Sequence, residues 1–258
     1  MAGVASLDEM DSDGTDGHPS PQAVLTKARD LCKSIGTKEA YGQAVQQRGL
    51  EAVEAEIIAA IADICHLIAS ANESQVRAQA VGWFGPLLSL PRHRDGTIEQ
   101  KAIDAGVLPA LVEQLSGCEK VQNVAALALG RLAIHHAGSV VDAGAVPPLV
   151  QLVSSHDDNV REAAIGVLCI ITTESSTHRD AVLADGVLQP LLKAMREGSV
   201  IRVPHLSGRL LWNLLSGSKK SPLPVPLAEL APFLPVLVGL ITAPEQDDRV
   251  LKWAHGAL

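Results

Sequence analysis

Aromatic residues are scarce in this chain of 258 residues. Phe, Tyr and Trp make up only 2% of it, while the hydrophobic share as a whole is 47%. A buried core therefore has to be built mainly from Leu, Val, Ile and Ala. Because small side chains let helices approach one another closely, this composition favours a fold of packed helices.

Cysteine is also scarce, and no long apolar run stands out. The four cysteines (Cys32, Cys65, Cys118 and Cys169) are far apart and include no C-x-x-C pair. This usage indicates a reduced, intracellular setting, in the cytoplasm, the nucleus or both. We expect no membrane span, because no apolar run reaches the required length, and the acidic start is unlike a signal peptide.

The chain lacks an excess of basic residues, since its net charge is −8. This is not the basic footprint of a nucleic-acid-binding protein, so we expect no nucleic-acid partner. The first 22 residues contain no Lys or Arg and are rich in Asp, Ser, Gly and Pro. We therefore predict that residues 1–22 form a disordered acidic tail. Its acidic residues are Asp8, Glu9, Asp11, Asp13 and Asp16.

What the chain has instead is a repeated phrase. "IDAGVLPALVEQL" begins at Ile103, "VDAGAVPPLVQLV" at Val141 and "LADGVLQPLLKAM" at Leu183, with a weaker copy from Leu230. Equivalent positions are spaced by 38, 42 and 46 residues. A period near 40 is typical of helical solenoids, which mostly bind other proteins along a groove.

Each copy predicts the same three-helix unit. A short first helix ends at a glycine (Gly106, Gly144 and Gly186), which suits the left-handed conformation that closes a helix. Pro109 or Pro147 then opens a second helix. The third helix is the longest, predicted over 121–134 and 160–172. Before the repeats, a helix is predicted from Ala23, and Pro86 is expected to kink or end a later one.

These units predict an all-α, armadillo-type α-solenoid of about five three-helix repeats, because two-helix repeats and 34-residue repeats fit less well. If the chain follows the armadillo type, the α-solenoid is right-handed. The repeat domain is predicted over 23–258. The clearest repeats are 98–138, 139–177, 178–220 and 221–258. Position 258 falls within the third helix of the last unit. Three interpretations stay open: the chain is a fragment, its end pairs with another chain, or the last unit frays.

A family resemblance follows from these segments. "DAGAVPPLVQLVSSHDDNVREAAIGVL", from Asp142, resembles the armadillo repeat, and the runs that begin at Val160 and Asn213 are similar to importin alpha over about 75–258. The resemblance implies a non-catalytic adaptor that recognises cargo for protein import into the nucleus, with no cofactor or metal. The alternative is a general armadillo scaffold for signalling, cytoskeletal or ubiquitin-ligase complexes that does not bind import signals.

The resemblance also implies where such a protein binds. Importin alpha holds basic import signals in a concave groove, to which each third helix contributes a Trp and, four residues later, an Asn. The spacing puts both on one helical face. By register, the pairs fall here on Gly82 and Pro86, Leu127 and Arg131, Gly166 and Ile170, and Arg209 and Asn213. Only Asn213 keeps the family's residue type.

The second hallmark of importin alpha is a basic amino-terminal arm that binds importin beta. Because residues 1–22 are acidic, we do not expect importin beta as a partner. The expected partner is a protein or an extended peptide in the concave groove.

We predict six residues for that concave, peptide-binding face. They are Gln79, Trp83, Arg131, Arg209, Trp212 and Asn213. Two alternatives stay open, since Trp212 could pack between repeats and the two arginines could extend into solvent. If both arginines face the groove, the preferred partner is acidic or carries carboxylates along an extended chain.

Overall fold

The computed structural model describes residues 19–71, 74–89, 96–197, 202–216 and 225–242, and these contain helices and no strand. The helices are α1 (Pro21–Ile35), α2 (Lys38–Arg48), α3 (Leu50–Ser70), α4 (Ser74–Ser89), α5 (Thr97–Asp104), α6 (Val107–Gln114), α7 (Glu119–Asp142), α8 (Val146–Leu152), α9 (Asp158–Glu174), α10 (Ser176–Ala184), α11 (Leu188–Glu197), α12 (Arg202–Leu215), α13 (Leu227–Leu230) and α14 (Leu234–Thr242). A 3₁₀ turn, Ala231–Phe233, joins the last two.

The first helix begins at Pro21, two residues before its predicted start at Ala23. Its N-cap is Ser20, whose Oγ accepts a hydrogen bond from the backbone N–H of Ala23. Val24, Ala28, Leu31 and Ile35 lie along one side of this helix and are buried. The rest of the predicted tail, 1–18, lies outside the described residues. Helix α2 was not predicted, because its apolar pattern is weak and only Ala44 of it is buried.

Helix α4 continues through Pro86 to Ser89, so the prediction that Pro86 could end this helix is wrong. A proline removes one hydrogen bond from the helix interior. Phe84, Leu87 and Leu88 flank it and are each no more than 1% exposed. The packing of these three side chains holds the turn that contains the proline.

The repeated phrase produces the expected joint between first and second helices. Gly106, Gly144 and Gly186 have φ angles of 78°, 79° and 76°, in the left-handed region that favours glycine. The second helices α6 and α8 begin slightly before the prolines, so that Pro109 and Pro147 lie within the first turn. An N–H is not needed there, and the prolines do not interrupt these helices.

Helix α7 is longer than predicted because it combines two helices across a kink. His136 has φ −137° and ψ 45°, outside the helical range. Its Nε2 lies 2.9 Å from the carbonyl oxygen of Gly96, at the start of α5. Residues before the kink form the third helix of one repeat, and those after it form the first helix of the next.

The third helices α4, α7, α9 and α12 pack side by side in that order, and this row is the spine of the solenoid.

Helix α7 is also long and apolar enough to cross a membrane by length and composition alone. The expectation that no segment reaches that length is therefore wrong for α7. Its kink and its packing between α4 and α9 identify it as a core helix of the solenoid.

Within the described residues the helices form five consecutive units. These are α2–α4, then α5 and α6 with the first part of α7, then the second part of α7 with α8 and α9, then α10–α12, and finally α13 with α14. The third helix that we predicted for the last unit, including Trp253, lies outside the described residues.

Candidate functional site

A cleft of about 510 Å³ opens along the third helices α7, α9 and α12. We call it the third-helix groove. The residues that line it are Asn123, Leu127, Gly130, Arg131, Ile134, Asn159, Glu162, Ala163, Gly166, Val167, Ile170, Leu206 and Arg209. The groove therefore crosses three consecutive repeats, as expected for a surface that binds an extended partner.

The α7 side of the groove combines apolar and cationic groups. Asn123, Leu127 and Arg131 follow one another at intervals of four residues, which places them on one face of the helix. Leu127 and Ile134 are 54% and 51% exposed, unusually high for large apolar side chains. A partner in the groove can cover both, and such burial favours association.

Arg131 is held at the edge of the groove by the preceding repeat. Its Nη2 donates a hydrogen bond to the carbonyl oxygen of Leu88 on α4, at 3.4 Å. Its Nε is buried and has no hydrogen-bond partner among the described residues. The guanidinium group thus keeps unused donors, and an anion in the groove would provide acceptors for its exposed nitrogen atoms.

Arg209 lines the opposite end of the groove, on α12. Its charge also acts on Cys169 of α9. Burial raises the pKa of the Cys169 thiol to about 12, and the positive charge of Arg209 opposes this shift only in part. Cys169 therefore stays protonated at neutral pH, and its Sγ lies 3.5 Å from the Leu206 carbonyl oxygen. A protonated, buried thiol is unsuited to nucleophilic chemistry.

Between the two arginines, α9 leaves the groove open. A Cβ atom placed on Gly166 would meet no other atom within 4 Å. By register this is a position at which the resembling family has a Trp, so the wall of the basic-residue slot is missing here. Ile170, one turn later, replaces the family's Asn and adds a half-buried apolar surface.

Asn213 serves packing between repeats. Its Nδ2 donates to the Cys169 carbonyl oxygen at 3.2 Å and to Thr172 Oγ1 at 3.3 Å, and so ties α12 to α9. It is not among the residues that line the groove. Trp212 is 38% exposed and also lies outside that set. Successive residues on a helix point about 100° apart, so these two neighbours face different surroundings.

The remaining two predicted residues lie on α4, away from the groove. Gln79 is exposed, and Trp83 is partly buried and packs against the core. The structure thus brings Arg131 and Arg209 together in one groove and leaves the other four predicted residues outside it. Peptide binding by any of the six stays a prediction.

Several groove residues were not predicted, notably Asn123, Ile134 and Asn159. The signal for them was present, since Asn123 lies four residues before Leu127 and Asn159 lies seven residues before Gly166. Residues four or seven positions apart lie on the same face of a helix.

The charge of the groove is also distinctive. Of the described residues that line it, two are arginines and one, Glu162, is acidic, whereas the chain as a whole carries a net charge of −8.

No group of three or more His, Cys, Asp or Glu residues lies together to hold a metal ion within the described ranges. The groove itself offers hydrogen-bond donors, charge and apolar surface.

Comparisons with known proteins agree with this architecture. The sequence model of the Armadillo/beta-catenin-like repeat matches residues 99–134 and 135–173. The boundary between the two matches coincides with the kink in α7 at His136.

Two curated relatives are plant proteins. Importin subunit alpha-8 of Arabidopsis thaliana is 37% identical over 158 residues, which cover 60% of this chain and 34% of the relative. Importin subunit alpha-1b of Oryza sativa subsp. japonica is 33% identical over 224 residues, which cover 85% of this chain and 38% of the relative. The chain thus spans about a third of the length of the curated relatives it matches.

Solved structures show the same fold. A designed armadillo repeat protein in complex with the peptide (KR)4 superimposes with a TM-score of 0.68 at 21% identity, covering 92% of this chain and 97% of that one. At this identity the likeness concerns the fold.

Proposed function

We propose that this chain, which matches the armadillo repeat model and is similar to importin alpha, is a non-catalytic adaptor that binds a segment of a partner protein in the third-helix groove. The observation that carries this proposal is the groove itself. It runs across three repeats, exposes the large apolar side chains of Leu127 and Ile134, and places one arginine on α7 and one on α12.

The more specific role is cargo recognition in protein import into the nucleus, with the protein moving between cytoplasm and nucleus. The similarity to importin subunits supports this role. The designed protein of the same fold that holds a (KR)4 peptide supports an extended peptide as the form of the bound segment.

The adaptor role is tested by affinity capture with the full chain and a matched groove variant. Leu127→Asp combined with Ile134→Asp places two charges on the exposed apolar surface of α7. Since both side chains are about half exposed, the fold should survive. We expect a set of proteins that the wild-type chain captures and the variant does not, as measured by quantitative mass spectrometry. Identical sets would contradict binding through the groove.

A second candidate function is that of an armadillo scaffold that does not bind import signals. It is favoured by the residues found where the family has Trp and Asn, because Leu127, Arg131, Gly166 and Ile170 all line the groove. Gly166 provides no slot wall, and Arg131 would repel a basic side chain.

The two candidates are separated by one binding measurement. A fluorescein-labelled basic import-signal peptide is titrated with the chain and followed by fluorescence anisotropy, with a lysine-to-alanine peptide as control. Specific binding at micromolar concentration supports the import adaptor. Absence of binding at that concentration rejects recognition of basic signals and leaves the scaffold.

A further inference from the structure

We propose that the third-helix groove binds an extended peptide with a bulky apolar residue in the middle and one acidic side chain on each side of it. This inference rests on the proposed function, because it names the chemistry of the segment that the groove holds. It reverses the charge of the peptides that the resembling family binds.

The first step concerns charge. Arg131 and Arg209 line the groove on α7 and α12, and neither forms a salt bridge with a carboxylate in the part of the chain that the structure describes. The single hydrogen bond of Arg131 within the described ranges, to Leu88, is long at 3.4 Å. Carboxylates match the planar guanidinium group and form charge-assisted hydrogen bonds with it. Two acidic side chains therefore complement the two ends of the groove.

Glu162 is the acidic residue among those that line the groove, and it engages in an interaction of its own. Because two arginines outnumber this one glutamate, the described lining of the groove has a net positive charge, whereas the whole chain has a net charge of −8. A basic peptide would face two arginines against one glutamate, and like charges brought together lower affinity. The charges thus favour an acidic over a basic occupant.

The second step concerns shape. The groove is also lined by the exposed side chains of Leu127 and Ile134, which lie four residues before and three residues after Arg131 on α7, and by the half-buried Ile170 of α9. Open space lies above Gly166 on α9, the helix that packs between those carrying the two arginines. An apolar side chain of the peptide can enter this space and cover all three aliphatic residues. Burial of apolar surface contributes roughly 25 cal/mol per Å². A Leu, Ile or Phe is the residue type that fits.

The third step concerns spacing. Helices α7 and α12 both pack against α9, and neighbouring helices lie about 8–10 Å apart. An extended chain advances about 3.3 Å per residue. The two carboxylates should therefore be separated by about four to six residues, with the apolar residue near the middle.

The test uses the full chain and synthetic peptides. The probes are fluorescein-labelled decapeptides of Gly and Ser that carry two glutamates four, five or six positions apart and a central leucine. Matched probes replace both glutamates by lysine, or the leucine by serine. We expect the best Glu–Leu–Glu probe to bind about tenfold or more tightly than its lysine counterpart, measured by fluorescence anisotropy. Equal or tighter binding of the lysine probe would overturn the proposal.

Variants of the chain locate the binding site. Arg131→Gln combined with Arg209→Gln should weaken the Glu–Leu–Glu probe by about tenfold or more, because charge-assisted hydrogen bonds are lost. The matched control is Arg29→Gln on α1, which removes an exposed arginine that pairs with Asp30 outside the groove. Equal affinity of the double variant and this control would contradict the assignment.

A second pair of variants keeps the test decisive if the double variant does not fold. Arg209 forms no hydrogen bond within the described ranges, so Arg209→Gln and Arg209→Lys should both fold. We expect Arg209→Lys to retain more affinity than Arg209→Gln, since the lysine keeps the charge.

A gain-of-function variant tests the same site from the other direction. Gly166→Trp combined with Ile170→Asn restores the family's Trp and Asn pair at a position where an added Cβ meets open space. It should shift preference towards the lysine probe.

The chain's own acidic segment is the competing occupant. A peptide of residues 1–18 that binds the groove more tightly than every probe would overturn the assignment to a partner and give the groove to the chain's own amino terminus. Failure of the proposed function looks different. If affinity capture shows groove-dependent partners while the lysine probes win, the adaptor role stands and the acidic preference fails. If capture shows no such partners and no probe binds, both fail.

Discussion

The second helices of the repeats and their third helices differ in how much they vary. Leu111, Leu149 and Leu191 occupy the same position of three successive second helices, and all are fully buried. The groove face of the third helices changes in every repeat, from Leu127 to Gly166 to Arg209. The second helices α6, α8 and α11 pack against the third helices α7, α9 and α12 of their own repeats, whereas the groove face meets solvent. We call the buried, repeat-to-repeat packing of the helices the frame. Packing constrains which residues the frame can have, whereas the groove face is free to vary and to bind a partner.

The largest expected effect separates frame from groove within one helix. Leu129 and Leu127 are two residues apart on α7, one fully buried and the other 54% exposed. Leu129→Ala should lower the free energy of unfolding by about 2–5 kcal/mol, because it leaves a cavity in the buried core. Leu127→Ala should change it by less than about 0.5 kcal/mol and weaken peptide binding instead. Urea unfolding followed by circular dichroism, with anisotropy for binding, measures both.

Equal losses of stability in the two variants would show that the groove face belongs to the packed core. Because unfolding of repeat arrays can depart from two-state behaviour, the unfolding midpoints of the two variants are compared directly under one set of conditions.

Smaller effects on stability, opposite in sign to each other, are expected when two glycines are replaced by alanine. Gly144 has φ 79° at the joint between a first and a second helix, so Gly144→Ala should destabilise the protein by about 1–2 kcal/mol through backbone strain. Gly166 lies inside α9 with open space around its missing Cβ. Gly166→Ala should stabilise the protein by up to about 1 kcal/mol, because alanine favours a helix. Thermal unfolding of both variants tests the signs, and a shift in the same direction for both would break the distinction.

The third effect tests whether Asn213 belongs to the frame. Asn213→Ala removes the hydrogen bonds to the Cys169 carbonyl oxygen and to Thr172 Oγ1. We expect a loss of about 1 kcal/mol of stability with peptide affinity unchanged. Reduced affinity at unchanged stability would return Asn213 to the binding site, as the sequence predicts.

Much of the frame could be predicted from the sequence, because its constraints are local. A glycine that must adopt positive φ and a proline that tolerates a missing N–H leave visible marks at Gly144 and Pro147. Helix α2 also ends at a glycine of positive φ, Gly49, but its apolar pattern is weak and only Ala44 of it is buried. The kink at His136 depends on a contact with Gly96, which is 40 residues away. A contact of this kind has no signature in the local pattern.

The groove was predicted only in part, because its membership depends on how each helix is rotated. Arg131 and Arg209 fall in it, whereas Trp83 packs against the core and Asn213 turns towards α9. A difference of one residue along a helix changes direction by about 100°. Sequence register identifies the helix that carries a residue, but neighbouring helices decide what its side chain meets.

The smallest expected effect concerns acid pH at the start of α9, the central helix of the groove. Asp157 caps this helix, and its Oδ1 accepts hydrogen bonds from the backbone N–H groups of Asn159 at 2.8 Å and Val160 at 3.1 Å. These bonds, with that of Val160 the largest cause, lower the pKa of the Asp157 carboxyl group. A lowered pKa stabilises the fold above the ordinary pKa of aspartate, and the contribution is lost as pH falls through the folded value.

Asp157→Asn keeps a side chain that caps a helix well but no longer titrates there. We therefore expect the melting temperature of the variant to fall less steeply than that of the wild type as pH drops below the ordinary range of aspartate. At neutral pH the two should differ little. Since Asp157 lies at the joint between α8 and α9 and not on the groove, its replacement should leave peptide affinity at neutral pH unchanged. A matching loss of affinity would show that the start of α9 also shapes the groove, and frame and groove would then not be separable at this helix.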